Sequence, residues 1–110
     1  MSSNWARVTT ARMRKIIIVS AQAYGLEAAG LFQRTRREKI AAARQLAMYL
    51  LREHTKLSLC EIGGVFSMDH GTVIHSLRRV KDRMETEPEF RRMTQQLSTR
   101  FENAAKVEAT

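Results

Sequence analysis

The chain has 110 residues, 44% of them apolar, enough for one compact domain and too few for two, so no multidomain enzyme is expected. Nineteen Lys and Arg against 11 Asp and Glu give a formal charge of +8 and a pI near 10.6, which makes a polyanion the first partner to consider. Fourteen of the basic residues are Arg, whose planar fork suits bidentate contact to phosphate and guanine, and the balance tips toward nucleic acid over a membrane or an acidic protein.

Residues 1–9 read as an N-terminal tail, within which Trp5 could either pack on the domain or lie exposed. A first helix is expected from Thr10 to Tyr24, because Ile16, Ile17, Ala21 and Tyr24 fall at helical spacings, and Gly25 is its stop. The apolar run Ile16–Val19 is four residues long, against roughly 18 for a membrane span, and too short for the core of a signal peptide. The chain is therefore expected to be soluble, with no membrane partner. Leu26 to Phe32 forms a short turn or helix fragment that takes Leu31 and Phe32 into the core. Arg34-Thr35-Arg36-Arg37-Glu38-Lys39 is the densest basic stretch, and residues 1–55 carry ten basic and three acidic residues against nine and eight in residues 56–110. A one-sided field follows. The next helix places Ile40, Ala43, Ala47, Leu50 and Leu51 on one face and ends near His54.

Ser58-Leu59-Cys60-Glu61 is a capping box, so a short helix begins at Leu59, carries Leu59, Ile62 and Phe66 inward, and stops around Ser67. Cys60, the only cysteine, cannot form an internal disulfide and is read as a small core hydrophobe. No Cys and His spacing suggests zinc, and no metal or other cofactor is expected. Asp69 caps a second helix whose apolar set is Val73, Leu77, Val80 and Met84. Beyond Pro88 a last helix carries Phe90, Met93, Leu97, Phe101 and Ala104 inward, the domain closes near residue 105, and residues 106–110 form a C-terminal tail. Met48, Met84 and Met93 are assigned to the core. The fold class is all-α, with about five helices and a helix-turn-helix at its centre.

A helix that enters the major groove N-terminus first needs short or polar opening residues and a basic outward face. Asp69-His70-Gly71-Thr72, followed by His75, Arg78, Arg79 and Arg83, meets that demand, although the pattern alone leaves open that Asp69 is merely a cap and the arginines a solvated face. Glu53-His54 and Asp69-His70 are no acid-base pairs, since helix neighbours point apart and no nucleophile accompanies them. No enzyme is expected. No Gly-x-x-x-x-Gly-Lys-Ser/Thr phosphate loop occurs, which argues against nucleotide binding.

The stretch Asp69-His70-Gly71-Thr72-Val73-Ile74-His75 resembles the Asp-His-Thr-Thr-Val-x-His signature of the C-terminal DNA-binding domain, domain IV, of the bacterial chromosomal replication initiator DnaA. The likeness extends through Ala43-Arg44-Gln45-Leu46-Ala47-Met48-Tyr49-Leu50, Leu57-Ser58-Leu59-Cys60-Glu61-Ile62-Gly63 and Phe66, over roughly residues 10–103. It implies a Trp-repressor-like helical bundle that binds double-stranded DNA at the nine-base-pair DnaA box, in a bacterial cytoplasm and at the nucleoid. It also implies roles: Arg36 in the minor groove, Asp69, His70 and Thr72 at the start of the recognition helix, and Gln45, Arg52, Ser58, Leu59 and His75 near phosphates; by their positions beside these, Met68 and Gly71 are added to the expected base contacts, and Arg34, Arg37, Arg78 and Arg79 to the expected phosphate contacts. The family usually has Arg where this chain has Met68, and Thr where it has Gly71; Ala41-Ala42-Ala43 stands where another Arg and often a Pro occur. These departures bear on sequence preference more than on binding mode. The expected function is sequence-preferring DNA binding that regulates transcription or replication initiation, without ATPase activity. The alternative is a helical protein-interaction module that kept the fold and lost specific DNA binding.

Overall fold

The computed structural model describes residues 4–33, 35 and 37–109, with side chains described between residues 5 and 102. After a 3-10 turn at Asn4–Arg7 come α1 (Ala11–Gln22), a second 3-10 turn at Ala28–Phe32, α2 (Glu38–His54), α3 (Leu59–Val65), α4 (His70–Thr86) and α5 (Pro88–Ala109). There is no strand among the described residues. None of the described helices is long and apolar enough to cross a membrane.

Local chemistry sets the helix ends. The Thr10 hydroxyl accepts the Met13 amide at 3.1 Å and starts α1. Gly25 closes it at φ +68°, while the Leu26 amide reaches back to the Ala21 carbonyl at 2.9 Å. A left-handed turn of this kind suits glycine, which has no Cβ to clash. At α3, Ser58 and Glu61 exchange bonds of 3.1 and 2.9 Å. The bond from the Ser58 amide, followed by one from the Ser58 side chain, holds the Glu61 carboxyl below its usual range.

Every other α-helix packs on α2. It contributes Ala43, Leu46, Ala47, Met48, Leu50 and Leu51, all fully buried. Around them sit Met13, Ile16, Ile17 and Ala21 of α1, Leu31 and Phe32, Ile62, Val65 and Phe66 around α3, Val73 of α4, and Leu97 and Phe101 of α5. Each large side chain so buried stabilises the fold by about 1.5–3 kcal/mol before the entropy of ordering it is counted.

The structure corrects two core assignments, those of Cys60 and Met84. Residues 5–9 pack: Val8 is buried, Trp5 meets Phe32 edge-on with ring centres 5.0 Å apart, and Arg7 Nη1 donates to the Gly64 carbonyl at 3.2 Å. Cys60 is exposed, because the short α3 turns Leu59 and Ile62 inward and leaves the intervening position on the solvent side. Met84 is half-buried outside the main core, on the last turn of α4, where its carbonyl accepts Arg91 Nη1 at 3.1 Å. At the C-terminus, α5 runs on to Ala109.

Thr94 of α5 is fully buried, and its hydroxyl has no hydrogen-bond partner among the described residues. Thr94→Val keeps the shape and removes the stranded group, so it should stabilise by about 1 kcal/mol and raise the melting temperature by roughly 4–8 °C. A thermal melt showing a lower midpoint would mean that the hydroxyl has a partner.

Candidate nucleic-acid interface

Four residues, Phe66 to Asp69, join α3 to α4. The chain reverses through two bonds back onto α3, from the Ser67 amide to the Gly64 carbonyl (3.3 Å) and from the Met68 amide to the Gly63 carbonyl (2.8 Å). This is a Schellman closure, and Ser67 occupies its left-handed position at φ 56°. Gly63 is required for a different reason. A Cβ there would lie far inside contact distance of the Met68 carbonyl oxygen and 3.3 Å from Val73 Cγ2. A bare α-carbon therefore lets the turn close directly onto α3 and fixes the start of α4.

Asp69 then caps α4, its Oδ1 accepting the Thr72 amide at 2.7 Å. That bond, followed by one from the Thr72 side chain and the pull of His70, holds the Asp69 carboxyl below its usual range. It stays anionic at the positive end of the helix dipole. Inward, α4 buries Val73, Ser76 and Val80; outward, His70, Gly71, Thr72, His75, Arg78 and Arg79 are all exposed. At 3.6 residues per turn, Thr72, His75 and Arg79 form one line and Gly71, His75 and Arg78 its neighbour. Met68 is half-buried and packs on the core from the turn.

The other expected site residues that are described lie on α2, on α3 and in the segments leading into them. Ser58 is exposed and Leu59 half-buried at the start of α3, and Arg52 Nη1 donates to the adjacent Leu57 carbonyl at 3.2 Å. Gln45 of α2 and Arg79 line one groove. Arg37 is exposed at the entrance to α2, where its amide donates to Thr35 Oγ1 at 3.2 Å. Arg34 and Arg36 lie outside the described residues. Arg83, expected on the outward basic face, is withdrawn from it. Its Nε and Nη2 each meet a Glu87 carboxylate oxygen at 3.1 Å, its Nη1 donates to the Tyr24 hydroxyl at 3.2 Å, and its guanidinium carbon lies 3.9 Å from the Phe90 ring centre.

One positioning residue was not singled out from the sequence. Arg44 is 6% exposed and donates from Nε to the Leu31 carbonyl (2.9 Å) and from Nη2 to the Gln33 carbonyl (2.6 Å). Burial pulls its pKa down from the ordinary arginine value. The chain just before the basic loop is thereby tied to α2, and the loop re-enters α2 at Glu38. A cation among Ala43, Leu46 and Ala47, all inward-facing, was the available signal.

Two helices at a tight turn, the second presenting a polar and basic outer face from its first residue, define a helix-turn-helix domain. Comparison gives the family: the model described as the bacterial dnaA protein helix-turn-helix matches residues 13–80, and the chain belongs to that family. It is 44% identical over 68 residues to the chromosomal replication initiator protein DnaA of Tropheryma whipplei, covering 62% of this chain and 14% of that protein. It is 37% identical over 87 residues (78% and 19%) to DnaA of Picosynechococcus, and 36% identical over 92 residues (81% and 20%) to DnaA 1 of Chlamydia trachomatis. The chain thus spans 14–20% of the length of these curated relatives.

Proposed function

We propose that this protein binds double-stranded DNA at sites related to the DnaA box, with α4 in the major groove and the basic loop at residues 34–37 in the adjacent minor groove. Occupying such sites would regulate transcription or replication initiation with no contribution from bound nucleotide. The observation that carries this reading is the exposed row His70, Gly71, Thr72, His75, Arg78 and Arg79, which has no packing duty and begins at the tip of α4. Membership of the DnaA helix-turn-helix family supports it. Selection of bound duplexes from a random pool, followed by binding at increasing salt, is the test. With about five phosphates neutralised, log affinity should fall against log salt with a slope of about −4 to −5, and ATP should leave it unchanged. Affinity that stays flat between low and physiological salt removes the reading.

Sequence preference is expected to depart from the family's at two positions. Methionine at 68 lacks the guanidinium that could hold a guanine, and glycine at 71 lacks the methyl and hydroxyl that a threonine presents. A Cβ at Gly71 would lie 3.5 Å from Asp69 Oδ1, an ordinary contact, so the position has room for a side chain. Met68→Arg with Gly71→Thr should therefore narrow the selected motif, each regained contact adding about 1–3 kcal/mol of discrimination. Identical motifs from wild type and double variant would show that these positions do not face bases.

A further inference from the structure

Lys39 of α2 and Arg79 of α4 line a single solvent-open groove of about 720 Å³. Ala41 and Ala42 also line it, and their short side chains leave it open where bulkier ones would fill it. Gln45 contributes a neutral amide. Of the acids in the groove, Glu87 is held by both forks of Arg83, which leaves Glu38 against Lys39 and Arg79. One positive charge is thus uncompensated among the described lining residues. Neither the Lys39 nor the Arg79 side chain makes a hydrogen bond or salt bridge among the described residues, although Arg79 adds to the field that holds the Glu87 carboxyl down.

Position gives this groove a use. Lys39 follows the basic loop by two residues, and Arg79 sits one helical turn beyond His75 on the outer line of α4. In a duplex, one sugar-phosphate strand separates a major groove from the neighbouring minor groove. A protein reading the first with α4 and the second with the loop must pass that strand between the two elements, over the start of α2. We propose that the groove seats a backbone phosphate of this separating strand, with Lys39 and Arg79 as its cations and Gln45 as a neutral donor. Lys39, which has no place in the resemblance to the family, becomes a phosphate contact. The inference rests on the DNA-binding reading above. Charge matches as well: a single phosphodiester carries the one negative charge that the groove lacks.

The test is fluorescence anisotropy of a labelled duplex carrying a selected site, titrated with wild type, Lys39→Gln, Lys39→Arg and Arg100→Gln across a salt series. Lys39→Gln should flatten the log–log salt slope by about 0.9 and weaken binding about threefold to tenfold at physiological salt, on selected and random duplexes alike. Lys39→Arg should keep the wild-type slope. Arg100, exposed on α5 and absent from the groove, should change the slope far less when replaced. Neutral methylphosphonates placed singly along the separating strand should then reveal one position whose substitution weakens wild type clearly more than it weakens Lys39→Gln, which keeps only the Arg79 contact there. A wild-type slope in Lys39→Gln overturns this inference and leaves the DNA-binding reading standing. Equal flattening by Arg100→Gln also overturns it, as an effect of net charge alone. Wild type that binds no duplex removes inference and reading together.

Discussion

Gly63→Ala is expected to destabilise the domain by about 2–3 kcal/mol, lowering its melting temperature by roughly 10–20 °C, and to weaken DNA binding with it. The new methyl group would be driven into the Met68 carbonyl oxygen, a backbone atom with no rotamer to yield. Relief requires α3 to move away from the turn, which breaks the Met68 amide bond to the Gly63 carbonyl and changes the angle at which α4 leaves the turn. Gly71→Ala is the control, because its methyl group reaches only ordinary contact with Asp69 and improves helix propensity by about 0.5–1 kcal/mol. Calorimetric melts of the two variants should therefore move in opposite directions. A Gly63→Ala melt at the wild-type temperature would show that the turn stands further from α3 than described.

Arg36→Ala is expected to remove about 1–3 kcal/mol from binding at a selected site, roughly a tenfold to hundredfold loss, with much less effect on random duplex. A narrow A·T tract concentrates negative potential in the minor groove, so an arginine placed there gains most where the sequence narrows it. Arg52 provides the contrast. It is exposed, and its guanidinium already lies at the Leu57 carbonyl beside the start of α3, a position suited to backbone contact. Arg52→Ala should weaken all duplexes about equally, because a phosphate carries no base identity. Competition titrations with selected and random DNA separate the two outcomes, and equal losses for Arg36→Ala would argue against minor-groove readout.

Helix positions were legible because their determinants are local. Ser58 and Asp69 each announce a helix start through a side chain that bonds an amide three residues on, and both do so; Thr10 does the same for α1, whose start was read from apolar spacing. Gly25 likewise announces a left-handed stop. Ser67 shows the limit: the same left-handed closure ends α3 with no glycine at that position, so only the approximate end could be read. The remaining differences come from contacts between distant residues. Arg83 looked like one more cation on a basic face until Tyr24, 59 positions earlier, and Phe90 closed around it. Trp5 was undecidable from its neighbours because its partner is Phe32. Cys60 was misplaced because one turn of a short helix gives too few apolar positions to define which side is buried.

The tether from Arg44 to the Leu31 and Gln33 carbonyls fixes the front of the basic loop on α2, and the loop's far end is the first turn of the same helix. Since α4 also packs against α2, both elements of the proposed binding mode hang from one helix. In that mode a target site presents its A·T-rich segment and its core at a fixed helical phase, and inserting a single base pair between them, which shifts one segment by about 3.4 Å along the axis and turns it about the duplex, is expected to weaken binding.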